Sequence, residues 1–225
     1  MTQKKHFDKK YFEDYYTHFV GNFTHSDLKR NKNWFYGWLK ALQPFYDFEN
    51  GDGKKVLEIG CAIGAAADIL SENGFDVKAT DISPYAVKKA KKLSPHIKFG
   101  ILDIEKKTTS SKKYDAIISF EVVEHLKNPE KAIANMYKML RPGGVVIFST
   151  PYPLDYIYID KTHINVRYPF EWVSTMRKTG FRYIKYKYCS FIPFFYKFSK
   201  FFHITLPWKF NNKFINSTVF FYGKR

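Results

Sequence analysis

From Lys54 onward the sequence predicts an α/β fold: a doubly wound, mostly parallel sheet of seven strands, with helices on both faces. Three observations predict it. Short apolar runs alternate with helix-forming stretches along most of the chain. The first run, Val56 to Ile59, breaks into the small residues of a tight turn, Gly60-Cys61-Ala62-Ile63-Gly64, and then into a helix from Ala65. A second run ends at Thr80 and is followed at once by an acid, Asp81.

The turn carries the first chemistry. Gly60 permits a backbone closed to side chains, and small residues let a ligand approach closely. The helix that follows presents unpaired N–H groups at its start. Asp81 at the end of the second strand can take both ribose hydroxyls of a nucleoside. A dinucleotide fingerprint would need glycine at Ala62 and Ala65, so that reading fails. With Glu58 leading, the run instead resembles the E/D-x-G-x-G-x-G motif of class I methyltransferases that use S-adenosylmethionine. Ala62 departs from the motif's central glycine by one methyl group.

Residues 1–53 precede this unit as a helical cap, and 54–225 form the cofactor-binding domain. Phe7 to Val20 and Ser26 to Tyr46 read as two helices, the second capped by Ser26. Trp34, Phe35, Trp38, Leu39 and Leu42 give it one apolar face. Ser83-Pro84 opens a helix to about Leu93, and His96 to Leu102 is the third strand, followed by Asp103 and Ile104. Tyr114 to Phe120 is the fourth strand, Asn128-Pro129 opens a helix, and Gly144 to Thr150 is the fifth strand. A long loop, Pro151 to Arg167, leads to a helix from Tyr168-Pro169. Gly180 to Cys189 and Ile215 to Gly223 are the last strands, with 192–212 between them as an aromatic and basic insertion.

The runs Glu121-Val122-Val123-Glu124-His125 and Leu140-Arg141-Pro142-Gly143-Gly144 strengthen the resemblance. The first is similar to the ubiquinone-biosynthesis O-methyltransferase group, and small-RNA 2′-O-methyltransferases share a similar run. The resemblance implies a cofactor set of Glu58, Gly60, Ala62, Gly64, Asp81, Ile82, Asp103, Ile104 and Phe120, with Asp103 accepting from the adenine amino group. It implies an O-directed transfer to a small or lipid-linked acceptor, such as a prenylated phenol or a glycan precursor.

Ligands of open α/β sheets bind beyond the carboxyl ends of the strands. His125 and His163, following the fourth and fifth strands, are therefore the candidate bases, each of a residue type suited to proton abstraction near neutrality. At helical spacing, Glu121, Glu124 and His125 share a face and could hold magnesium or manganese, and zinc or iron would also suit them. The alternative is that Glu124 and His125 orient the loop, and that His163 is a structural part of a lid.

Charge points to partners. The net charge is +16, and no acid occurs after Glu171, while the last 54 residues hold eleven Lys or Arg. Such a balance favours an anionic membrane surface or nucleic acid. Phe194, Phe195, Phe198, Phe201 and Phe202, with Lys197, Lys200 and His203, read as a basic amphipathic helix, the kind that lies at membrane interfaces. A lid or a subunit interface is the alternative. Nucleic acid ranks lower, because a five-phenylalanine face is too apolar for a phosphate-tracking groove. An RNA 2′-O-methyltransferase and a catalytically silent binding protein remain the competing functions. Two cysteines make no disulfide framework, and no signal-like or membrane-spanning stretch is evident, so the expected location is cytoplasmic, peripheral to a membrane if 192–212 docks there.

Overall fold

The computed structural model describes residues 7–17, 21–106, 113–192, 196, 197, 199, 201, 204–211 and 215–225. They divide into two compact units: Met1–Asp103 with Phe194–His203, and Ile104–Pro193 with Ile204–Arg225.

In the first unit three parallel strands lie in the order β3 (Lys98–Ile101), β2 (Asp76–Asp81), β1 (Lys55–Ile59). Helix α1 spans His25–Leu42, α2 Ala65–Glu72 and α3 Pro84–Leu93. The apolar face read from the sequence packs inward, with Trp38, Leu39 and Leu42 buried. The cap of α1 is Thr24, not Ser26. Its hydroxyl accepts from Asp27 N–H at 3.1 Å, and Asp27 accepts in return from Thr24 N–H, a closed capping box. Before it, Tyr11–Tyr15 are π-helical within the span expected as the first helix, whose residues 18–20 lie outside the described residues. Phe12, Phe23 and Leu28 pack with Ile63, Ala65 and Ala86, so the N-terminal aromatics lie over the small-residue turn.

The second unit holds five strands in the order β4 (Tyr114–Phe120), β5 (Leu140–Pro151), β8 (Asn216–Lys224), β6 (Arg182–Ile192), β7 (Ile204–Leu206). β4 and β5 are parallel, β8 is antiparallel to both β5 and β6, and β7 is antiparallel to β6. Helix α4 (Pro129–Met139) and α5 (Pro169–Thr179) carry Met136, Trp172 and Met176 into the core. Phe148 stacks on Phe221 at 4.9 Å, with Trp172 edge-on at 5.8 Å.

The α/β class and the mostly parallel strands are as the sequence predicts, but the strands among the described residues number eight, not seven. The extra one, β7, lies inside the expected insertion. Tyr196 and Lys197 sit in a turn, so the described part of 192–212 is turn and strand, not an amphipathic helix. Phe194, Phe195, Phe198, Lys200, Phe202 and His203 lie outside the described residues. No helix among the described residues is long and apolar enough to cross a membrane.

The capping geometry gives a direct check. Thr24→Ala should cost about 1 kcal/mol in urea unfolding, whereas Ser26→Ala should change stability by less than about 0.5 kcal/mol.

Candidate active site

The Gly60–Gly64 turn is built from left-handed backbone at alternate residues, with φ of 78° at Gly60, 44° at Ala62 and 83° at Gly64. Only glycine adopts this without strain, so Ala62 carries a cost of roughly 1–2 kcal/mol. A methyl group on Gly64 would also come within 2.9 Å of the Phe99 ring. Gly60 and Cys61 N–H both donate to Thr80 O, at 2.7 and 2.9 Å, which ties the turn to β2.

Asp81 fixes the turn's far side. Its two carboxylate oxygens accept from Ala62 N–H and Ser83 N–H, each at 2.9 Å. Glu58 is not turned toward open space. Its Oε2 accepts from Ala67 N–H at 3.1 Å, capping one of the unpaired donors at the start of α2. Both acids are buried. Burial pushes Glu58 up to about 8, with the nearby Asp81 adding to the shift, and raises Asp81 as well. Among the described residues neither has a basic partner. Ile82 is half-buried and Asp103 partly exposed, one residue beyond Leu102, whose N–H donates to Asp81 O. Ile104 and Phe120 belong to the second unit. There Ile104 O accepts from Asn135, and Phe120 packs edge-on against Phe220.

In the second unit β4 ends in a corner at Glu121, whose φ is 52°. Val123–His125 then form one 3-10 turn. Glu121 is thus outside any helical turn, and the helical spacing read from the sequence does not hold. Its Oε1 accepts from Ser149 and Thr218 hydroxyls at 2.7 and 2.6 Å. The side chains that converge are Glu124, His125 and His163, whose ligand atoms lie within 4.8 Å of one another. Glu124 is fully buried, and neither of its oxygens has a hydrogen-bond partner among the described residues. Burial, with the charges of Glu121 and Asp160, holds its carboxyl well above the usual range.

Both imidazoles have one nitrogen committed. His163 Nδ1 lies 2.8 Å from Ile157 O, an acceptor only, so Nδ1 carries the proton and Nε2 the lone pair. His125 Nδ1 lies 3.1 Å from Thr162 O and 2.9 Å from Thr162 Oγ1, which itself donates to Asp160 at 2.6 Å. That fixes the same tautomer. Imidazoles held this way by backbone carbonyls, beside an unsatisfied carboxylate, are what a divalent ion requires. The donor set fits. The side chains that converge are two imidazoles and one carboxylate, with His163 rather than Glu121 beside Glu124 and His125. Burial, with His163 alongside, pushes His125 down to about 4. His125 is therefore neutral at pH 7, a better ligand than base. Sequence reasoning did not single out Asp160 and Thr162, which hold the His125 ring.

A methyltransferase-domain family model matches residues 30–186. The chain belongs to the methyltransferase-domain family. A ubiquinone biosynthesis O-methyltransferase of Coxiella burnetii is 32% identical over 102 residues, 44% of each chain. Among solved structures, phosphoethanolamine N-methyltransferase 2 of Haemonchus contortus, in complex with S-adenosyl-L-methionine, superposes with a TM-score of 0.71 at 18% identity. That match covers 100% of this chain and 60% of the other. A SAM-dependent methyltransferase of Archaeoglobus fulgidus gives 0.68 at 18% identity, over 94% and 100% of the two chains. The match thus spans less than half the length of the curated relative, and the structural similarity speaks for the fold.

Glu58 ties stability to pH. Its folded pKa, about 8, exceeds the ordinary 4.5, so the folded chain holds the proton more tightly than the unfolded one. Its contribution is complete below pH 4.5 and is lost as pH rises toward 8. Urea unfolding at several pH values should show a steep decline for wild type. Glu58→Gln should flatten it by up to about 1 kcal/mol per pH unit. Separately, Ala62→Gly should raise stability by up to about 1 kcal/mol, because relief of the left-handed strain outweighs the added chain entropy.

Proposed function

We propose that this methyltransferase-family protein transfers a methyl group from S-adenosylmethionine to an oxygen of a small or lipid-linked acceptor. The observation that carries the cofactor half is the pair of buried carboxyls, Glu58 and Asp81, at a left-handed turn with no basic partner among the described residues. A sulfonium cofactor brings the missing positive charge and, when bound, supplies an electrophilic methyl group. Asp81 accepts from the ribose hydroxyls through lone pairs that its two backbone donors leave available. Gly60, Ala62 and Gly64 keep the backbone low beneath it, and Asp103 accepts from the adenine amino group. Glu58 works indirectly, by holding the start of α2.

The acceptor chemistry we assign to Glu124, His125 and His163. These residues would hold a divalent ion, and two imidazoles with one carboxylate favour zinc, iron or manganese over magnesium. Such an ion lowers the pKa of a hydroxyl acceptor. With its Nδ1 proton given to Ile157 O and its Nε2 lone pair committed to the ion, His163 would orient the acceptor, whose proton would leave to solvent, while His125 stays neutral. This is what favours oxygen over nitrogen: an amine attacks with its own lone pair and needs no such group. The N-methyltransferase among the structural neighbours makes the amine acceptor the second reading. Exposed Phe201, Ile204 and Trp208, with Lys197 and Lys209 near them in sequence, support a peripheral contact of 192–212 with an anionic membrane.

Calorimetry in buffers of different ionisation enthalpy tests the cofactor half. Near pH 6.5, S-adenosylmethionine should expel a proton from wild type and not from Glu58→Gln, whereas its neutral-sulfur product should expel less. Equal proton counts for both ligands would sink the charge argument.

The acceptor half is tested by elemental analysis with turnover. Wild type should hold about one divalent ion, Glu124→Gln and His163→Ala should lose it, and chelator should lower turnover by about 10²–10⁴. Full activity in excess chelator would remove the ion from the mechanism. Flotation with anionic vesicles, compared with Phe201→Asp and Trp208→Asp, decides the membrane contact.

A further inference from the structure

A second cluster of the second unit takes no part in the cofactor or metal chemistry, although its Lys209 also belongs to the segment assigned to the membrane contact. Lys209 Nζ lies 2.9 Å from Tyr152 Oη and 4.1 Å from the centre of the Tyr152 ring. Tyr168 and Tyr188 stand edge-on to Tyr152, each at 5.8 Å. Lys209 is exposed, yet its backbone neighbours are fixed. Ser190 Oγ donates to Trp208 O at 2.6 Å, Phe210 N–H donates to Ser217 Oγ at 3.0 Å, and the two serine hydroxyls meet at 2.6 Å. Both serines are buried. The ammonium is therefore delivered to the tyrosines by a pinned segment.

The charge on Lys209 has no carboxylate beside it among the described residues. The groups that act on it are Tyr152, Tyr188 and Tyr168, and the chain has no acid after Glu171. The ring face suited to a cationic ligand is already taken by the chain's own ammonium. Tyr152 Oη accepts from Lys209, so its own proton points elsewhere and is available to donate. The ammonium has further N–H donors to offer, and together they form a donor-only cluster. Tyr152 also continues the ladder past β5, with its N–H reaching toward Ser217 O. It stands two residues beyond Thr150, whose hydroxyl borders Glu124, so alternation puts the two side chains on one face.

We propose that Lys209 and Tyr152, walled by Tyr168 and Tyr188, bind an oxyanion: the phosphate or carboxylate of the methyl acceptor, or of the lipid that carries it. The inference rests on the methyl-transfer reading for its supply of an acceptor, but the binding itself is measured without turnover. A charge-assisted pair supplies the affinity, and the pinned segment reduces the ordering cost.

The test titrates inorganic phosphate into the intact protein at a fixed ionic strength of about 0.15 M, where diffuse attraction to a basic surface is screened. Calorimetry and phosphorus NMR line width report binding. Wild type and the control Lys185→Met, which alters an exposed lysine of β6, should bind saturably and alike. Lys209→Met should weaken binding by about ten- to hundred-fold, and Tyr152→Phe, which keeps the ring, by several-fold. A parallel arm uses vesicles with phosphatidylglycerol. Lys209-dependent binding to vesicles without binding of free phosphate assigns the anion to a headgroup. Lys209-dependent binding of free phosphate assigns it to a soluble acceptor. Wild type that binds neither, or Lys209→Met that matches wild type in both arms, overturns the site. S-adenosylmethionine affinity measured alongside should be unchanged in both variants, which separates loss of this site from loss of the fold or of the cofactor reading.

Discussion

The Gly60–Gly64 turn exists because Asp81 holds it. A carboxylate at the end of β2 accepts from the backbone of the turn on one side and from the start of α3 on the other. Strand β2 binds the same turn again through Thr80 O. With these bonds in place, Ala62 can be kept in a left-handed conformation that a free alanine avoids. The interaction costs something, since two acids are buried close together and both resist ionisation. Such tension is tolerable in a protein whose ligand is a cation, because the ligand relieves it.

Much of the first unit is legible because its constraints are local. A glycine at a left-handed position, an acid two residues before it and another at the next strand end are sequence patterns with one geometric solution. The proline and serine that start α3 fall where the sequence puts them. The Thr24 cap was not read from the sequence because Ser26, only two residues further in, is an equally good capping residue. What decided between them was Asp27, at the right offset from Thr24 only.

The second unit was less legible, and the reason is physical. Glu121, Glu124 and His125 read as one helical face only if the backbone is helical throughout, and a φ of 52° at Glu121 breaks it. That conformation is sustained by contacts from residues 28 and 97 positions away, Ser149 and Thr218. No local propensity encodes them. His163 was recognised as a candidate base, but its convergence with Glu124 depends on a loop path that sequence spacing does not specify. In the insertion, the 3.6-residue spacing of the phenylalanines suits a helix, but Tyr196 and Lys197 lie in a turn and Ile204–Leu206 pair with β6, while most of the phenylalanines lie outside the described residues.

Two bonds from the loop after β5 meet the turn after β4 at one atom. Ile164 and Asn165 N–H both donate to Glu124 O, at 3.0 and 2.8 Å, and the Asn165 side chain donates to Leu126 O. The backbone of the buried acid and the segment carrying His163 thus share a hinge pin. Neither can swing away alone without stranding a carbonyl or two amides in a poorly solvated place. Exchange of those two amide hydrogens with solvent therefore clocks the opening of the whole cluster.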